Sequence, residues 1–154
     1  RHTRFALVSW ARDVYKRQYR NDMEGGQTNE FRPLILVAED DDSNFKLIKA
    51  IIGKKCDIQW AKNGEEIVAL FKEYGNEAKA ILMDIKMPVM NGLDATKIIR
   101  GENKEIPIIM QTAYAFSSDK ENAMNAGASE VLVKPITLSI LRNTLTKYFP
   151  ELVW

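Results

Sequence analysis

The chain has 154 residues, of which 45% are hydrophobic and 28% are charged, a composition typical of one folded domain with a short extension. No apolar run approaches the roughly 20 residues that a transmembrane helix needs, so the sequence argues against a membrane-spanning protein. The single cysteine, Cys56, excludes an intramolecular disulfide, and the single histidine, His2, argues against a catalytic histidine, a histidine-ligated metal and a phosphohistidine carrier.

The net charge of +1 gives no indication of a nucleic-acid partner, but it hides a difference between the two ends of the chain. Residues 1–33 carry seven basic and four acidic residues, so the remainder is mildly acidic. Back-translation of residues 13–18 as GAT GTG TAT AAG AGA CAG resembles the mosaic-end adaptor of transposase-made sequencing libraries. We therefore interpret residues 1–18 as a translated adaptor remnant, the alternative being an amphipathic leader helix. We expect residues 1–33 to be a disordered basic tail and linker, and residues 34–154 to be the folded domain.

Short apolar runs alternate with helical patterns from residue 34 onward. Short runs rich in apolar residues predict strands at 34–38, 57–61, 80–83, 106–110 and 130–133, and those at 34–38 and 80–83 are apolar throughout, as in buried strands. Apolar residues at helical spacing, with capping residues before them, predict helices at 43–52, 65–74, 93–100, 117–126 and 138–148. This order of elements is a (βα)5 pattern, which predicts an α/β fold with a doubly wound, five-stranded parallel sheet.

Polar side chains follow four of the predicted strands, at the sheet edge where ligands bind in such folds. An acidic run from Glu39 to Asp42 follows the first strand, Asp84 the third, Thr112 the fourth and Lys134 the fifth. Clustered carboxylates with no nitrogen or sulfur ligands suit a hard cation such as Mg²⁺, and a lysine and a hydroxyl beside them can hold phosphate oxygens. The set therefore predicts phosphoryl transfer or phosphate binding, with a carboxylate as a candidate acceptor.

Four motifs make this chain similar to a known family. They are ILVAEDDDSN at 35–44, ILMDIKMPVMNG at 81–92, QTAYA at 111–115 and VLVKPI at 131–136. Over residues 33–149 the chain resembles a response-regulator receiver domain of two-component signalling, especially the C-terminal receivers of hybrid sensor kinases. The resemblance implies a flavodoxin-like receiver fold.

The resemblance also implies a role for each matching acid. Asp84 would be the phosphoacceptor. Glu39 and Asp40 would bind Mg²⁺ together with Asp84 and the backbone carbonyl of Lys86. Glu39 stands where aspartate is commoner, and its longer side chain can act through water.

The remaining motif residues are expected to contact the phosphoryl group. Thr112 would reach one phosphoryl oxygen and Lys134 would pair with another. The Lys134–Pro135 bond is expected to be cis. Val131 stands where the family often has Tyr or Phe as a rotating side chain, so the resemblance leaves the usual threonine–aromatic switch in question.

Function follows from the resemblance in the same way. The domain would take a phosphoryl group from a phosphohistidine of a histidine kinase or a histidine phosphotransfer domain, and would catalyse only its own phosphorylation and dephosphorylation. It would be cytoplasmic, without DNA binding or membrane contact of its own. It would be a stand-alone receiver starting near Met23 or the end of a larger sensor kinase. Lys86 and Tyr114 would border the path of the hydrolytic water, which predicts slow dephosphorylation.

Two other functions stay open at this point. The first is an aspartate-nucleophile phosphatase of the dehalogenase class, although Asn44 stands where that motif needs threonine or valine. The second is a degenerate receiver that acts only as a docking module. The complete set of acids, hydroxyl and lysine argues against the second.

Overall fold

The computed structural model of the protein describes residues 30–154, apart from the side chain of Ser117. The predictions for residues 1–29, including the adaptor remnant and the disordered tail, lie outside the described residues. Within 30–154 the chain forms five strands and five helices in strict alternation, as predicted. In chain order they are β1 (Leu34–Ala38), α1 (Asp42–Ile52), β2 (Asp57–Ala61), α2 (Gly64–Tyr74), β3 (Ala78–Asp84), α3 (Gly92–Glu102), β4 (Ile108–Thr112), α4 (Ser117–Ala126), β5 (Glu130–Val133) and α5 (Leu138–Tyr148).

The five strands form one parallel sheet in the order β2-β1-β3-β4-β5. The predicted doubly wound α/β fold is therefore confirmed. The chain runs outward from β1 to β2, returns to β3 on the other side of β1, and then continues in one direction. The neighbouring carboxyl ends of β1 and β3 thus lie at the point where the strand order reverses, which is where open α/β sheets bind ligands.

Nearly all residues of β1, β3 and β4 are buried, which explains the apolar runs in these three strands. Ile35, Val37 and Ile109 pack in one cluster with α1 and α5. Met110, which alternation places on the opposite face from Ile109, contacts the hydroxyl of Thr96 in α3. Both faces of the sheet are therefore covered by helices.

Several boundaries differ from the predicted ones for identifiable reasons. β4 begins at Ile108, because Pro107 has no N–H and only its carbonyl joins the sheet, accepting from the Ile81 N–H at 2.9 Å. β3 extends to Asp84, beyond its apolar run. α1 begins one residue earlier than predicted, because the side chain of Asp41 caps it by accepting from the Asn44 N–H at 2.8 Å.

The two ends of the described chain contact the sheet and its helices. The compact unit begins at Arg32, two residues before the predicted boundary. The Arg32 guanidinium pairs with Asp57 at 3.2 Å and donates to the Gly53 carbonyl at the end of α1. At the other end, Leu152 is buried, and the Trp154 indole donates to the Thr146 hydroxyl at 2.9 Å. Among residues 30–154, no helix has the length and hydropathy to cross a membrane.

A pair of glycine substitutions tests how tightly α2 packs. A Cβ added to Gly64 would lie 2.8 Å from the Met90 carbonyl carbon, whereas a Cβ added to Gly101 in α3 would meet nothing within 4 Å. Gly64→Ala is expected to lower the free energy of unfolding by about 1–3 kcal/mol, because backbone must move to accommodate it. Gly101→Ala is expected to raise it by about 0.5–1 kcal/mol, because alanine favours the helix. Urea unfolding of both variants measures this, and equal effects would contradict the packing described here.

Candidate metal and phosphate site

The carboxyl edge of the sheet collects the side chains that the sequence singled out. Glu39 directly follows β1 and Asp84 ends β3, and these two strands pair side by side. One carboxylate oxygen each from Glu39, Asp40 and Asp84 lies within 4.8 Å of the others. Glu39 and Asp84 are buried and Asp40 is exposed. The three predicted metal-binding acids are therefore brought together.

Lys134 carries the only ammonium group among residues 30–154 that pairs with these acids. It follows β5, and its Nζ lies 3.0 Å from Asp84 Oδ2 and 3.4 Å from Glu39 Oε2. Burial by itself would lower the pKa of Lys134, but the hydrogen bond and the charge of Asp84 outweigh it and raise that pKa. Lys134 therefore remains positively charged at neutral pH.

The positive charge of this lysine only partly balances the negative charges of the acids. Burial raises the pKa of Asp84, and the negative charge of Asp40 adds to the effect, while Lys134 opposes it. Burial likewise raises the pKa of Glu39, with a further contribution from the charge of Asp84. Three carboxylates facing one ammonium thus form a site where the ionised acids need a further cation.

The donor set fits Mg²⁺. Every side chain in the cluster offers oxygen, and Mg²⁺ binds in proteins through one or two carboxylates together with water and phosphate oxygens. Burial, and to a smaller extent the neighbouring acids, raise the pKa values of Glu39 and Asp84, so their ionised forms lack full solvation or pairing within the protein. The predicted backbone ligand, Lys86, lies on the loop directly after Asp84, and the role of its carbonyl stays a prediction.

The loop after Asp84 is folded tightly back on the end of β3. The Gly92 N–H donates to the Ile85 carbonyl at 2.8 Å, and the Ile85 N–H donates to the Gln111 carbonyl at 3.1 Å. A Cβ at Gly92 would lie 3.0 Å from the Asp84 carbonyl carbon, so only glycine fits without displacing that residue. The asparagine before it, Asn91, caps α3 by accepting from the Asp94 N–H at 2.9 Å. These contacts hold the backbone of Asp84 and of the loop after it in one position.

Thr112 ends β4, the strand next to the one that carries Asp84, and Tyr114 follows on the loop after it. Thr112 is buried at the end of β4, and its hydroxyl accepts from the Tyr114 N–H at 3.1 Å. The Lys86 ammonium lies 3.3 Å from the Tyr114 hydroxyl and 4.6 Å from the centre of its ring. The two side chains that the sequence placed beside the acceptor thus contact each other. The Lys134–Pro135 bond is cis, as predicted.

Two residues at this edge were given no role in the site from the sequence. Gln111 is 1% exposed, and its amide nitrogen has no hydrogen-bond partner among the described residues. Trp60, assigned only to a strand, donates its indole N–H to the Glu39 carbonyl at 2.8 Å. Their positions in the predicted strands could have identified both. Trp60 lies near the carboxyl end of β2, beside β1, and Gln111 near that of β4, beside β3, and an acid lies at the end of each of these two neighbouring strands.

Comparison with known proteins identifies the family of this arrangement. A family model described as response regulator receiver domain matches residues 35–146. Hybrid signal transduction histidine kinase I of Dictyostelium discoideum is 38% identical over 129 residues, which cover 76% of this chain and 7% of the kinase. The chain thus spans a small part of the curated relatives that it matches.

Two solved structures are similar in fold and in sequence. One is the receiver domain of the sensor histidine kinase PA1611 from Pseudomonas aeruginosa, with a magnesium ion coordinated in its active site cleft. It is 32% identical, with a TM-score of 0.70, over 77% of this chain and 98% of that one. The other is the receiver domain of Saccharomyces cerevisiae Ssk1, crystallised with the histidine phosphotransfer protein Ypd1, for which the match is 28% identical with a TM-score of 0.72 and covers 79% and 93%.

The matching segment includes every strand end described above, from Glu39 to Lys134. The family is a family of signalling domains, and receiver domains of hybrid histidine kinases are among the relatives of this chain. The resemblance drawn from the four sequence motifs is therefore confirmed. This chain belongs to the response regulator receiver domain family.

Proposed function

We propose that this domain accepts a phosphoryl group on Asp84 from the phosphohistidine of a histidine kinase or a histidine phosphotransfer protein. The observation that carries the proposal is Asp84 itself: the residue is 5% exposed at the sheet edge, and its carboxylate lies 3.0 Å from the Lys134 ammonium. A buried carboxylate with a fixed cation beside it suits a nucleophile that becomes an acyl phosphate. The Ypd1 complex of a related receiver supports the class of donor.

The reaction moves one phosphoryl group between two side chains. An Asp84 carboxylate oxygen forms the new bond to phosphorus as the phosphorus–nitrogen bond of the donor breaks, and the electron pair returns to the imidazole nitrogen. Bound Mg²⁺, held by Glu39, Asp40, Asp84 and the backbone carbonyl of Lys86, would neutralise charge on the phosphoryl oxygens. Lys134 already contacts Asp84 and needs only a small shift to pair with a phosphoryl oxygen.

Thr112 is the residue that would respond to the new phosphoryl group. Its hydroxyl is within the same strand-end cluster and currently accepts from the Tyr114 N–H. We expect it to turn towards a phosphoryl oxygen, which would release Tyr114 and its loop. Val131, which pairs with Met110 in the sheet, offers no aromatic ring to follow that movement. The response would therefore run through the loop after β4.

The proposal includes the biological setting that the resemblance implies. The domain would work in the cytoplasm, catalyse only its own phosphorylation and dephosphorylation, and make no contact with DNA or membrane itself. The chain would be a stand-alone receiver or part of a larger hybrid kinase. A dehalogenase-type phosphatase is less well supported, because Asp42, the second acid of that motif, is exposed and pairs with Lys62 at 3.3 Å. A purely docking receiver would not need the buried acids and lysine.

Replacement of the acceptor tests the central claim. Asp84→Asn is expected to abolish phosphorylation by acetyl phosphate or by a phosphorylated phosphotransfer protein, because an amide oxygen is not a competent nucleophile. Intact-mass spectrometry measures the added phosphoryl group. Asp42→Asn removes an exposed acid nearby and is expected to be labelled like the wild type. Labelling of Asp84→Asn would show that the acceptor lies elsewhere.

Mg²⁺ binding tests the metal site. Mg²⁺ is expected to raise the melting temperature by mass action, and Asp40→Asn is expected to reduce that rise by removing one ligand.

The pH dependence of Mg²⁺ binding is a second test. The raised pKa values of Glu39 and Asp84 mean that the folded protein keeps protons on them above the ordinary carboxyl range. Protons therefore compete with the metal, and Mg²⁺ affinity should fall when the pH is lowered from about 7.5 to about 5.

In the metal-free protein, the raised pKa values of Glu39 and Asp84 make the free energy of unfolding depend on pH. An acid whose pKa is raised in the folded state favours folding less as pH rises through the window between its unfolded and folded pKa. The stabilisation by Mg²⁺ should therefore be largest at neutral pH and vanish in acid. A melting-temperature rise that is independent of pH, or intact in Asp40→Asn, would contradict the assigned ligands.

The lifetime of the phosphorylated form tests the contact between Lys86 and Tyr114. These side chains would obstruct the in-line approach of water, and neither is a carboxylate or amide that orients it. Tyr114→Ala and Lys86→Asn are each expected to shorten the half-life by roughly threefold or more, since access to phosphorus is a matter of positioning. Phe116→Ala, at another exposed ring of the same loop, is the matched control and should leave the half-life unchanged. Unchanged or slower decay in both test variants would remove these side chains from the mechanism.

A further inference from the structure

The indole of Trp60 lies against the loop that carries the acidic pair, although it takes no part in the site described above. We propose that Trp60 is a positioning residue for metal binding, which holds the backbone of Glu39 and Asp40 in the geometry that Mg²⁺ needs. The inference rests on the proposed Mg²⁺ site and adds to it a residue that contacts no ligand.

The backbone of Glu39 is held by β2 at both of its polar groups. Its N–H donates to the Ala61 carbonyl at 2.9 Å, and its carbonyl accepts from the Trp60 indole N–H at 2.8 Å. The regular pairing of β1 with β2 ends at Ala38 and Ala61. Beyond that point the chain of β2 turns into α2, so a side chain provides the donor. The indole therefore extends the sheet by one residue, to the first metal-binding acid.

The indole is itself fixed by contacts with α1. Its ring stacks on Phe45 with 3.9 Å between the ring centres and an angle of 3° between the planes. The Lys62 ammonium lies 4.7 Å from the centre of the Trp60 ring and also pairs with Asp42 at 3.3 Å. Rotation of the indole would break the stack on the first turn of α1. The donor therefore has one position relative to the acidic loop.

These contacts leave Asp40 between two fixed neighbours. Glu39 is held by β2, and Asp41 is held by its capping bond to the Asn44 N–H and by a 3.1 Å hydrogen bond from its own N–H to the Glu39 carboxylate. Asp40 is exposed, so its carboxylate is placed by the backbone on either side of it. Metal sites lose affinity when the groups that orient their ligands are removed. Release of the Glu39 carbonyl should therefore disturb both acids.

Trp60→Phe tests the inference in the full chain, with Mg²⁺ alone as the probe. Phenylalanine keeps an aromatic ring for the stack and removes the N–H donor. Trp154→Phe is the matched control, because the Trp154 indole also donates one hydrogen bond, to Thr146 at 2.9 Å on α5. Titration calorimetry gives the Mg²⁺ dissociation constant, and urea unfolding without metal gives the stability of each variant.

We expect Trp60→Phe to weaken Mg²⁺ binding by about tenfold, as found for groups that orient metal ligands. Trp154→Phe should lower stability to a similar extent and leave the dissociation constant unchanged. If Trp60→Phe lowers only the stability, or if both variants weaken Mg²⁺ binding equally, Trp60 has no positioning role. Should Trp60→Phe fail to fold, Phe45→Leu replaces it, with a smaller loss of affinity expected and an unchanged affinity overturning the inference. A wild-type protein that does not bind Mg²⁺ would instead overturn the metal site itself.

Discussion

The contact of one lysine with two buried carboxylates determines how this edge of the sheet is built. Lys134 lies 3.0 Å from Asp84 and 3.4 Å from Glu39, so the residue after β5 provides, within the described part of the chain, the only ammonium that pairs with the acids at the ends of β1 and β3. One ammonium does not neutralise them, and the pKa of each acid stays raised by burial and by its acidic neighbours. The buried acids are thus left incompletely paired, and in the proposed function a divalent cation would supply the missing positive charge.

The rest of the edge keeps this unfavourable cluster in place. Like charges separate unless their backbones are fixed, and here the backbones are fixed by neutral hydrogen bonds. Gly92 closes the loop after Asp84 through its bond to the Ile85 carbonyl, and the Trp60 indole holds the Glu39 carbonyl. Beneath them, strands buried on both faces supply the apolar packing. The stability of the core therefore offsets the cost of the charged site.

Much of this could be predicted from the sequence, because the relevant signals are local. Short apolar runs identified all five strands, and polar residues after four of them identified Glu39, Asp84, Thr112 and Lys134. What the sequence did not reveal depends on contacts between distant residues. The role of Arg32 at the end of α1 and that of Trp60 beside Glu39 follow from chain packing across about twenty positions. The start of β4 after Pro107 depends on which backbone groups the neighbouring strand β3 can reach.

In the proposed mechanism, the contacts of Thr112 link a change of charge at Asp84 to the exposed loops beside it. Its hydroxyl accepts from the Tyr114 N–H, and in the proposed mechanism a rotation towards a phosphoryl oxygen would move the hydroxyl away from that N–H. Tyr114 in turn contacts Lys86, which follows the acceptor on the loop after β3. A turn of Thr112 would therefore loosen the contact between the two loops that flank Asp84. Because Val131 offers no aromatic ring, the movement would emerge at these loops, where Tyr114 and Phe116 are already exposed.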